Sequence, residues 1–173
     1  MLKIAICDDS PLFLEQARSA VLKWSDENQI STKLYIYENG DELIATNMAE
    51  PFHIILLDIL MPLLNGMDTA RELRQYDKTV KIIFLTSSPE FALESYDVKA
   101  YSYLLKPVTY EKLEETLNEC VLRLTSEHTP FTSSLISEHI FFTLSPIPDD
   151  FPNLSFAFPI SFLNPVLYMK VIL

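Results

Sequence analysis

Short apolar runs alternate with amphipathic segments along the first 124 residues of the chain. The apolar runs lie at residues 3–7, 33–37, 52–58, 81–86 and 101–105. We predict that each run is a β-strand, because such runs are short and lie between segments with helical spacing. In the first of these segments the apolar residues recur at intervals of three, four and three: Leu14, Ala17, Val21 and Trp24. Helices are predicted from residue 11 onwards, over 41–49, through 70–74, around 91–93 and over 113–124.

Strands as apolar as these are typical of a parallel sheet that is covered on both faces. Five strand–helix units predict a doubly wound α/β fold of the flavodoxin-like (βα)5 kind, with strand order 2-1-3-4-5. In such a fold the functional site lies at the carboxyl ends of the strands. The polar residues at these ends are Asp8, Asp9, Asp58, Thr86 and Lys106. We therefore expect these five residues to gather at one edge of the sheet.

Composition excludes several kinds of site. The chain has only two glycines, Gly40 and Gly66, so a Walker loop and a dinucleotide-binding fingerprint are both excluded. The net charge of −11 disfavours binding to nucleic acid or to an anionic membrane. Two distant cysteines, Cys7 and Cys120, cannot form a disulfide framework or a metal knuckle, and they suit a reducing compartment. The first residues do not form a signal peptide, so we predict a cytoplasmic protein.

The predicted cluster of carboxylates indicates metal-dependent chemistry. Three carboxylates at one sheet edge repel one another and need a cation in order to ionise together. Mg²⁺ prefers oxygen ligands, takes one or two carboxylates and keeps water or substrate oxygens as its other ligands. A carboxylate beside such an ion, with Lys106 as a second cation and the Thr86 hydroxyl as a donor, can accept a phosphoryl group. The residues therefore predict Mg²⁺ as the cofactor and an aspartyl phosphate as the product.

Four motifs carry a resemblance to a known family. They are Ile6-Cys7-Asp8-Asp9, Leu57-Asp58-Ile59-Leu60-Met61-Pro62 with Gly66, Phe84-Leu85-Thr86-Ser87, and Tyr103-Leu104-Leu105-Lys106-Pro107. In this order and spacing they resemble the receiver domain of two-component response regulators, over residues 1–124. The stretch from residue 91 to residue 107 further resembles the receivers of LytTR-type transcriptional regulators.

This resemblance implies a role for each residue at the strand ends. Asp58 is implied to be the phosphoacceptor and a metal ligand. Asp9 is implied to bind Mg²⁺ directly and Asp8 to support the ion largely through water, while the Leu60 backbone carbonyl completes the protein's ligands. Lys106 is implied to pair with Asp58 or with its phosphate.

The resemblance also implies a switch and partners. Thr86 would move to donate a hydrogen bond to the phosphoryl group, and the ring of Tyr103 would then turn inward. The peptide bond between Lys106 and Pro107 is implied to be cis. The expected partner is a cognate sensor histidine kinase, and a homodimer through the fourth and fifth strand–helix units is a further expectation.

Residues 125–173 have a different composition from the rest. They hold six of the eleven prolines, seven of the eleven phenylalanines and only one basic residue, Lys170. We predict an irregular tail with no recognisable domain, and we expect the output domain of a LytTR-type regulator to be missing or altered. The tail has too few cations to bind DNA, and three prolines interrupt its uncharged stretch 151–169, which argues against a membrane span.

Three functions are compared. The leading hypothesis is a signalling receiver, which is not an enzyme beyond catalysing its own phosphorylation and dephosphorylation. The alternative is a DNA-binding LytTR-type transcriptional regulator, of which this chain is a truncated or atypical form. The third is a magnesium-dependent hydrolase with an aspartyl nucleophile. Such phosphatases usually carry a second acid two residues after the nucleophile, and that position is Leu60 here.

Overall fold

Five parallel strands form one sheet in the computed structural model, which describes residues 1–62 and 64–128. The strands are β1 (Leu2–Cys7), β2 (Thr32–Tyr37), β3 (Ile54–Leu57), β4 (Lys81–Thr86) and β5 (Ser102–Leu105). The α-helices of the described residues are α1 (Pro11–Glu27), α2 (Gly40–Ala49), α3 (Gly66–Tyr76) and α4 (Tyr110–His128). The strand order is β2-β1-β3-β4-β5, which confirms the predicted fold class and topology.

Both faces of the sheet are buried. Successive side chains of a strand point to opposite faces, so each strand contributes to two cores. Cys7 and Leu57 belong to the core beneath α2 and α3, whereas Ile6 and Leu56 belong to the core beneath α1 and α4. Because neither face meets water, the central strands are continuous apolar runs rather than alternating ones.

The predicted helix around residues 91–93 is wrong. This segment forms turns followed by a short 3-10 helix, Glu94–Tyr96. The Ser95 hydroxyl donates to the Ala92 carbonyl at 2.6 Å, and such side-chain bonds compete with regular helical bonding. The segment ends with Lys99 in a left-handed conformation, at a φ of 49°. The chain therefore returns to the sheet through tight turns instead of a full helix.

Helix α4 continues to His128, and the rest of the predicted irregular tail, 129–173, lies outside the described residues. The uncharged stretch 151–169 lies there as well. Among the residues that the structure does describe, no helix has both the length and the apolar character needed to cross a bilayer.

A partly buried hydrogen bond joins α1 to α4. The indole Nε1 of the fully buried Trp24 donates to Asn118 Oδ1 at 2.8 Å. We expect Trp24→Phe to lower the free energy of unfolding by about 2 kcal/mol, because it removes this bond and leaves a small void. Asn118→Ala is expected to cost about 1 kcal/mol, since it leaves the indole N–H without an acceptor. Urea unfolding of both variants measures these losses.

The double variant is the control for this pair. If the bond acts as described, the two losses overlap, and the double variant loses less than the sum of the single ones. Strictly additive losses would contradict a stabilising bond between Trp24 and Asn118.

Candidate functional site

Three aspartates come together where β1 and β3 end. The two strands are neighbours, and the Asp58 amide donates to the Cys7 carbonyl at 2.9 Å just beyond their paired residues. Asp8, Asp9 and Asp58 each contribute a carboxylate oxygen, and these oxygens lie within 4.8 Å of one another. Asp8 and Asp58 are only 5% exposed, whereas Asp9 is open to solvent. The cluster is therefore closed on the protein side and accessible from water.

Lys106 follows β5 and reaches across the edge of the sheet to this cluster. Its Nζ lies 2.5 Å from Asp8 Oδ2 and 3.2 Å from Asp58 Oδ2. The ammonium group also lies 4.1 Å from the ring centroid of Phe13, which is a cation–π distance. The peptide bond from Lys106 to Pro107 is cis. One ammonium group is thus shared between two buried carboxylates and covered by an aromatic ring.

The second oxygen of each buried aspartate accepts a backbone hydrogen bond. Ser10 N–H donates to Asp8 Oδ1 at 2.9 Å, and Ile59 N–H donates to Asp58 Oδ1 at 2.8 Å. Burial raises the pKa of Asp8, and the charge of Asp58 adds to this, while the bonds from Lys106 and Ser10 act in the opposite direction. Ser10 is the N-cap residue of α1, and its side chain makes no capping bond. Its backbone amide instead donates to Asp8.

The arrangement fits a divalent cation. Three carboxylates face one ammonium group, so the cluster keeps an excess of negative charge. Its donors are oxygens, and one of the three carboxylates is exposed to water, as suits an ion that retains water ligands. Asp9 and Asp58 would hold Mg²⁺ with Asp8 in support. The Leu60 carbonyl as a further ligand stays a prediction.

Thr86 and Tyr103 are both hydrogen-bonded to Ser88. Ser88 follows β4, which pairs with β3, the strand before Asp58. Thr86 is fully buried, and its Oγ1 accepts a hydrogen bond from the Ser88 amide at 3.3 Å. The Tyr103 hydroxyl donates to the Ser88 carbonyl, and its ring packs against Phe84 with centroids 5.9 Å apart. The threonine and the tyrosine are therefore linked through one residue. Their implied switch roles stay predictions.

The comparison with known proteins decides the family. The response regulator receiver domain matches residues 4–118 of the chain. The chain belongs to this family. Receiver relatives include the positive alginate biosynthesis regulatory protein of Pseudomonas aeruginosa, which is 34% identical over 118 residues. They also include the transcriptional regulatory protein BtsR of Salmonella typhi, which is 33% identical over 140 residues.

These alignments cover 68% and 80% of the present chain but only 46% and 54% of the two relatives. The chain thus spans about half the length of the curated relatives it matches. The sensory transduction protein LytT of Oceanobacillus iheyensis is 35% identical over 83 residues, which are 47% of this chain and 34% of that protein. This match agrees with the predicted likeness to receivers of LytTR-type regulators.

Solved receiver structures have the same fold. The chemotaxis protein CheY4 of Vibrio cholerae is 26% identical, with a TM-score of 0.60 over 69% of this chain and 98% of that chain. The response regulatory domain of protein mrkE from Klebsiella pneumoniae is 21% identical, with a TM-score of 0.66 over 72% of this chain and 99% of that chain. The second likeness shows the fold alone.

An apolar cavity of about 410 Å³ adjoins the receiver's carboxylates. Its walls include Phe13 and Ala17 of α1 and Leu113 of α4, and Asp8 and Lys106 line it as well. Apolar walls lower the local dielectric constant, so charges at this edge interact more strongly than they would in water.

Two residues of the receiver contribute to the site in ways that the sequence reasoning did not identify. Phe13 covers the Lys106 ammonium group, and its only signal was an aromatic ring outside the apolar stripe of α1. Gly66 belongs to one of the four motifs, and its role is steric: a Cβ there would lie 1.8 Å from the Asp58 carbonyl oxygen. The backbone after Asp58 can pack this closely only against glycine.

Cys7 is expected to resist alkylation. Burial, with the negative charges of Asp8 and Asp58, raises the pKa of Cys7 to about 12. The thiol stays protonated at pH values below its pKa. At pH 8, therefore, roughly one molecule in ten thousand carries the reactive thiolate. Iodoacetamide at pH 8 should leave Cys7 unmodified in the folded receiver and modify it in urea, as read by mass spectrometry of the peptides. Rapid modification of the folded chain would contradict this.

Proposed function

We propose that this receiver accepts a phosphoryl group on Asp58 from a cognate sensor histidine kinase, in a reaction that requires Mg²⁺. The observation that carries the proposal is the clustering of Asp58 with Asp8, Asp9 and Lys106 at one sheet edge. A carboxylate that is buried, paired with a cation and close to two further acids is poorly explained by stability alone. It is suited to a reaction in which negative charge enters the site.

In the proposed reaction, a carboxylate oxygen of Asp58 attacks phosphorus and forms a new O–P bond. The bond between phosphorus and the donor's histidine nitrogen breaks, and its electron pair remains on the imidazole. Bound Mg²⁺ would neutralise charge on the transferring oxygens. Lys106 Nζ already lies 3.2 Å from Asp58 Oδ2, so its charge needs little movement to stabilise the transferred group. The receiver would catalyse only its own phosphorylation and dephosphorylation.

The contacts at Ser88 support the proposed switch. If the Thr86 hydroxyl moves to the phosphoryl group, its Oγ1 leaves the Ser88 amide, to which it is bonded at 3.3 Å. Ser88 also holds the Tyr103 hydroxyl through its carbonyl, so displacement of Ser88 releases the tyrosine. A small change at Asp58 would thereby alter the surface around β4 and β5.

Electrophoresis in a phosphate-affinity gel tests the acceptor. The wild-type chain, Asp58→Asn and the control Asp26→Asn are incubated with acetyl phosphate and Mg²⁺; Asp26 is exposed near the end of α1. We expect a retarded band in the wild type and in the control variant, which EDTA abolishes, and none in Asp58→Asn. A retarded band that survives in Asp58→Asn would exclude Asp58 as the acceptor.

A homodimer through the fourth and fifth units stays a prediction. It is supported by large apolar side chains that are exposed in these units: Leu93, Tyr96 and Leu105. Sedimentation velocity before and after phosphorylation tests it, and a monomer in both states would contradict it.

We do not propose DNA binding by this chain, although two of the relatives named above carry regulatory names. Residues 125–173 hold a single lysine, and DNA binding needs several phosphate-neutralising cations. A gel-shift assay with the purified chain tests this alternative. We retain the prediction of a cytoplasmic protein, because Cys7 and Cys120 are buried and form no disulfide.

A further inference from the structure

The apolar cavity beside the carboxylates lies between α1 and the start of α4. It has a volume of about 410 Å³, and its walls include Leu56 and Leu85, which belong to β3 and β4. Both leucines are buried. Protein interiors are close-packed and contain few voids larger than a water molecule. A space of this size that reaches the buried strands therefore departs from ordinary packing, and its volume is within the range of small-molecule sites.

The sequence of α1 accounts for this space. Leu14, Val21 and Trp24 of the helix are buried in the core beneath α1 and α4. Two residues between them, Ala17 and Ala20, line the cavity. An alanine side chain is a single methyl group, so these two positions leave room that a larger apolar side chain would occupy.

The wall opposite α1 is formed by residues 107–110 and by Leu113. Tyr110, the first residue of α4, has two contacts with α1. Its hydroxyl donates to the Glu27 carboxylate, and Lys23 Nζ lies 3.7 Å from the centroid of its ring. These contacts join the start of α4 to α1, so the two walls of the cavity are held together.

The charged residues that line the cavity are Asp8, Asp58 and Lys106. Lys106 Nζ lies 2.5 Å from Asp8 Oδ2 and 3.2 Å from Asp58 Oδ2, so one cation is shared between two carboxylates. The lining therefore carries one more negative charge than positive. The exposed carboxylate of Asp9 lies beside the other two and adds to this excess. A cationic ligand is favoured at this end of the cavity, and an anionic one is repelled.

The two buried carboxylates can accept further hydrogen bonds. Asp8 accepts from the Ser10 amide and from Lys106. Asp58 accepts from the Ile59 amide and pairs with Lys106. An ionised carboxylate has about four lone-pair sites, so each of the two retains capacity for a donor. A protonated amine supplies both the donors and the positive charge.

We propose that the apolar cavity binds a small organic amine, with its apolar body between α1 and α4 and its ammonium group against Asp8 and Asp58. Burial of the apolar body contributes to the affinity. The ammonium group adds charge-assisted hydrogen bonds, which are stronger than neutral ones. This binding does not require phosphoryl transfer, so it is tested without Mg²⁺ or a phosphodonor, and a failure of Asp58 as the acceptor would leave it intact.

Titration of the ¹⁵N-labelled 173-residue chain with phenethylamine in EDTA tests the proposal by NMR. We expect saturable shifts of the amides in residues 13–20 and 108–113, with a dissociation constant on the order of 1 mM for so small a ligand. The neutral analogue 2-phenylethanol should bind about tenfold more weakly, because it lacks the charge-assisted bonds. The anion 3-phenylpropionate should bind more weakly still, and methylamine, which has no apolar body, should not saturate the shifts.

Substitutions that fill the cavity test its location. Ala17→Leu should weaken the binding of phenethylamine by at least about tenfold, because the added side chain takes the place of the ring. Ala20→Leu is a second variant of the same kind. The matched control is Ala45→Leu, which makes the same change at an exposed position of α2, and binding should be unchanged.

The proposal is overturned if phenethylamine does not saturate the shifts by about 20 mM. It is also overturned if Ala45→Leu weakens binding as much as the two cavity variants do. Equal binding of 2-phenylethanol and phenethylamine would show a neutral apolar site and would overturn the role of the carboxylates. The spectra show whether each variant is folded, and the comparison of ligands on the wild type needs no variant.

Discussion

Lys106→Met is expected to lower the free energy of unfolding of the metal-free chain by about 3 kcal/mol. The lysine Nζ lies 2.5 Å from Asp8 Oδ2 and 3.2 Å from Asp58 Oδ2, and both aspartates are 5% exposed. Methionine fills similar space beside Phe13 but leaves two buried carboxylates without their cation. Among the described residues, the backbone amides of Ser10 and Ile59 still donate to these carboxylates, but they do not replace the positive charge.

Mg²⁺ is expected to reverse most of this loss. Without the lysine the acidic cluster is more negative, so it should bind the ion more tightly than the wild type does. An ion that binds only the folded state raises stability as its concentration exceeds the dissociation constant. Urea unfolding of wild type and Lys106→Met, with and without about 10 mM Mg²⁺, measures both effects.

Lys106→Met should slow phosphorylation although it increases the affinity for Mg²⁺. Under the proposed function, Lys106→Met should slow phosphorylation by acetyl phosphate by about a hundredfold, because a cation that stabilises the transferring oxygens is lost. Lys112→Met is the matched control, since its pair with Glu115 is exposed to solvent and contributes little to stability. A Lys106→Met chain with wild-type stability in EDTA would show that the lysine does not hold the carboxylates together.

Gly66→Ala, which adds one methyl group, is expected to lower the free energy of unfolding by about 3 kcal/mol. Its Cβ would lie 1.8 Å from the Asp58 carbonyl oxygen and 2.9 Å from Ile59 Cα. Both contacts are with backbone, which cannot rotate aside as a side chain can. The loop between β3 and α3 must move as a whole, and the Gly66 amide then loses its 3.0 Å bond to the Ile59 carbonyl.

Gly40→Ala is the matched control for this prediction. A Cβ at Gly40 would lie 2.1 Å from Thr69 Oγ1, which is a side-chain atom. Thr69 can rotate, at the loss of its 2.9 Å bond to the Asn65 carbonyl, so we expect a loss of about 1 kcal/mol. Thermal unfolding of both variants ranks them, and Gly66→Ala should also lower phosphorylation because Asp58 is displaced. Equal losses at the two glycines would contradict the distinction between backbone and side-chain contacts.

Much of the fold followed from the sequence because a parallel sheet buried on both faces leaves continuous apolar runs. The predicted strand at 81–86 coincides with β4, and the predicted strand order is the observed one. β3 begins at Ile54, two residues later than predicted. The helix predicted around residues 91–93 failed because local hydrogen bonds, such as that of the Ser95 hydroxyl, compete with helical ones, and apolar spacing does not register them.

The sequence likewise predicted one part of the candidate site, and the tertiary structure decided the rest. That Asp8, Asp9, Asp58 and Lys106 belong to one edge could be deduced from the sequence, because parallel strands all direct their carboxyl ends to the same side. Only the tertiary structure decided that Lys106 is shared between Asp8 and Asp58 and that Phe13 covers it. Periodicity reports which face of an element is buried, whereas distances between side chains of different elements depend on how those elements pack.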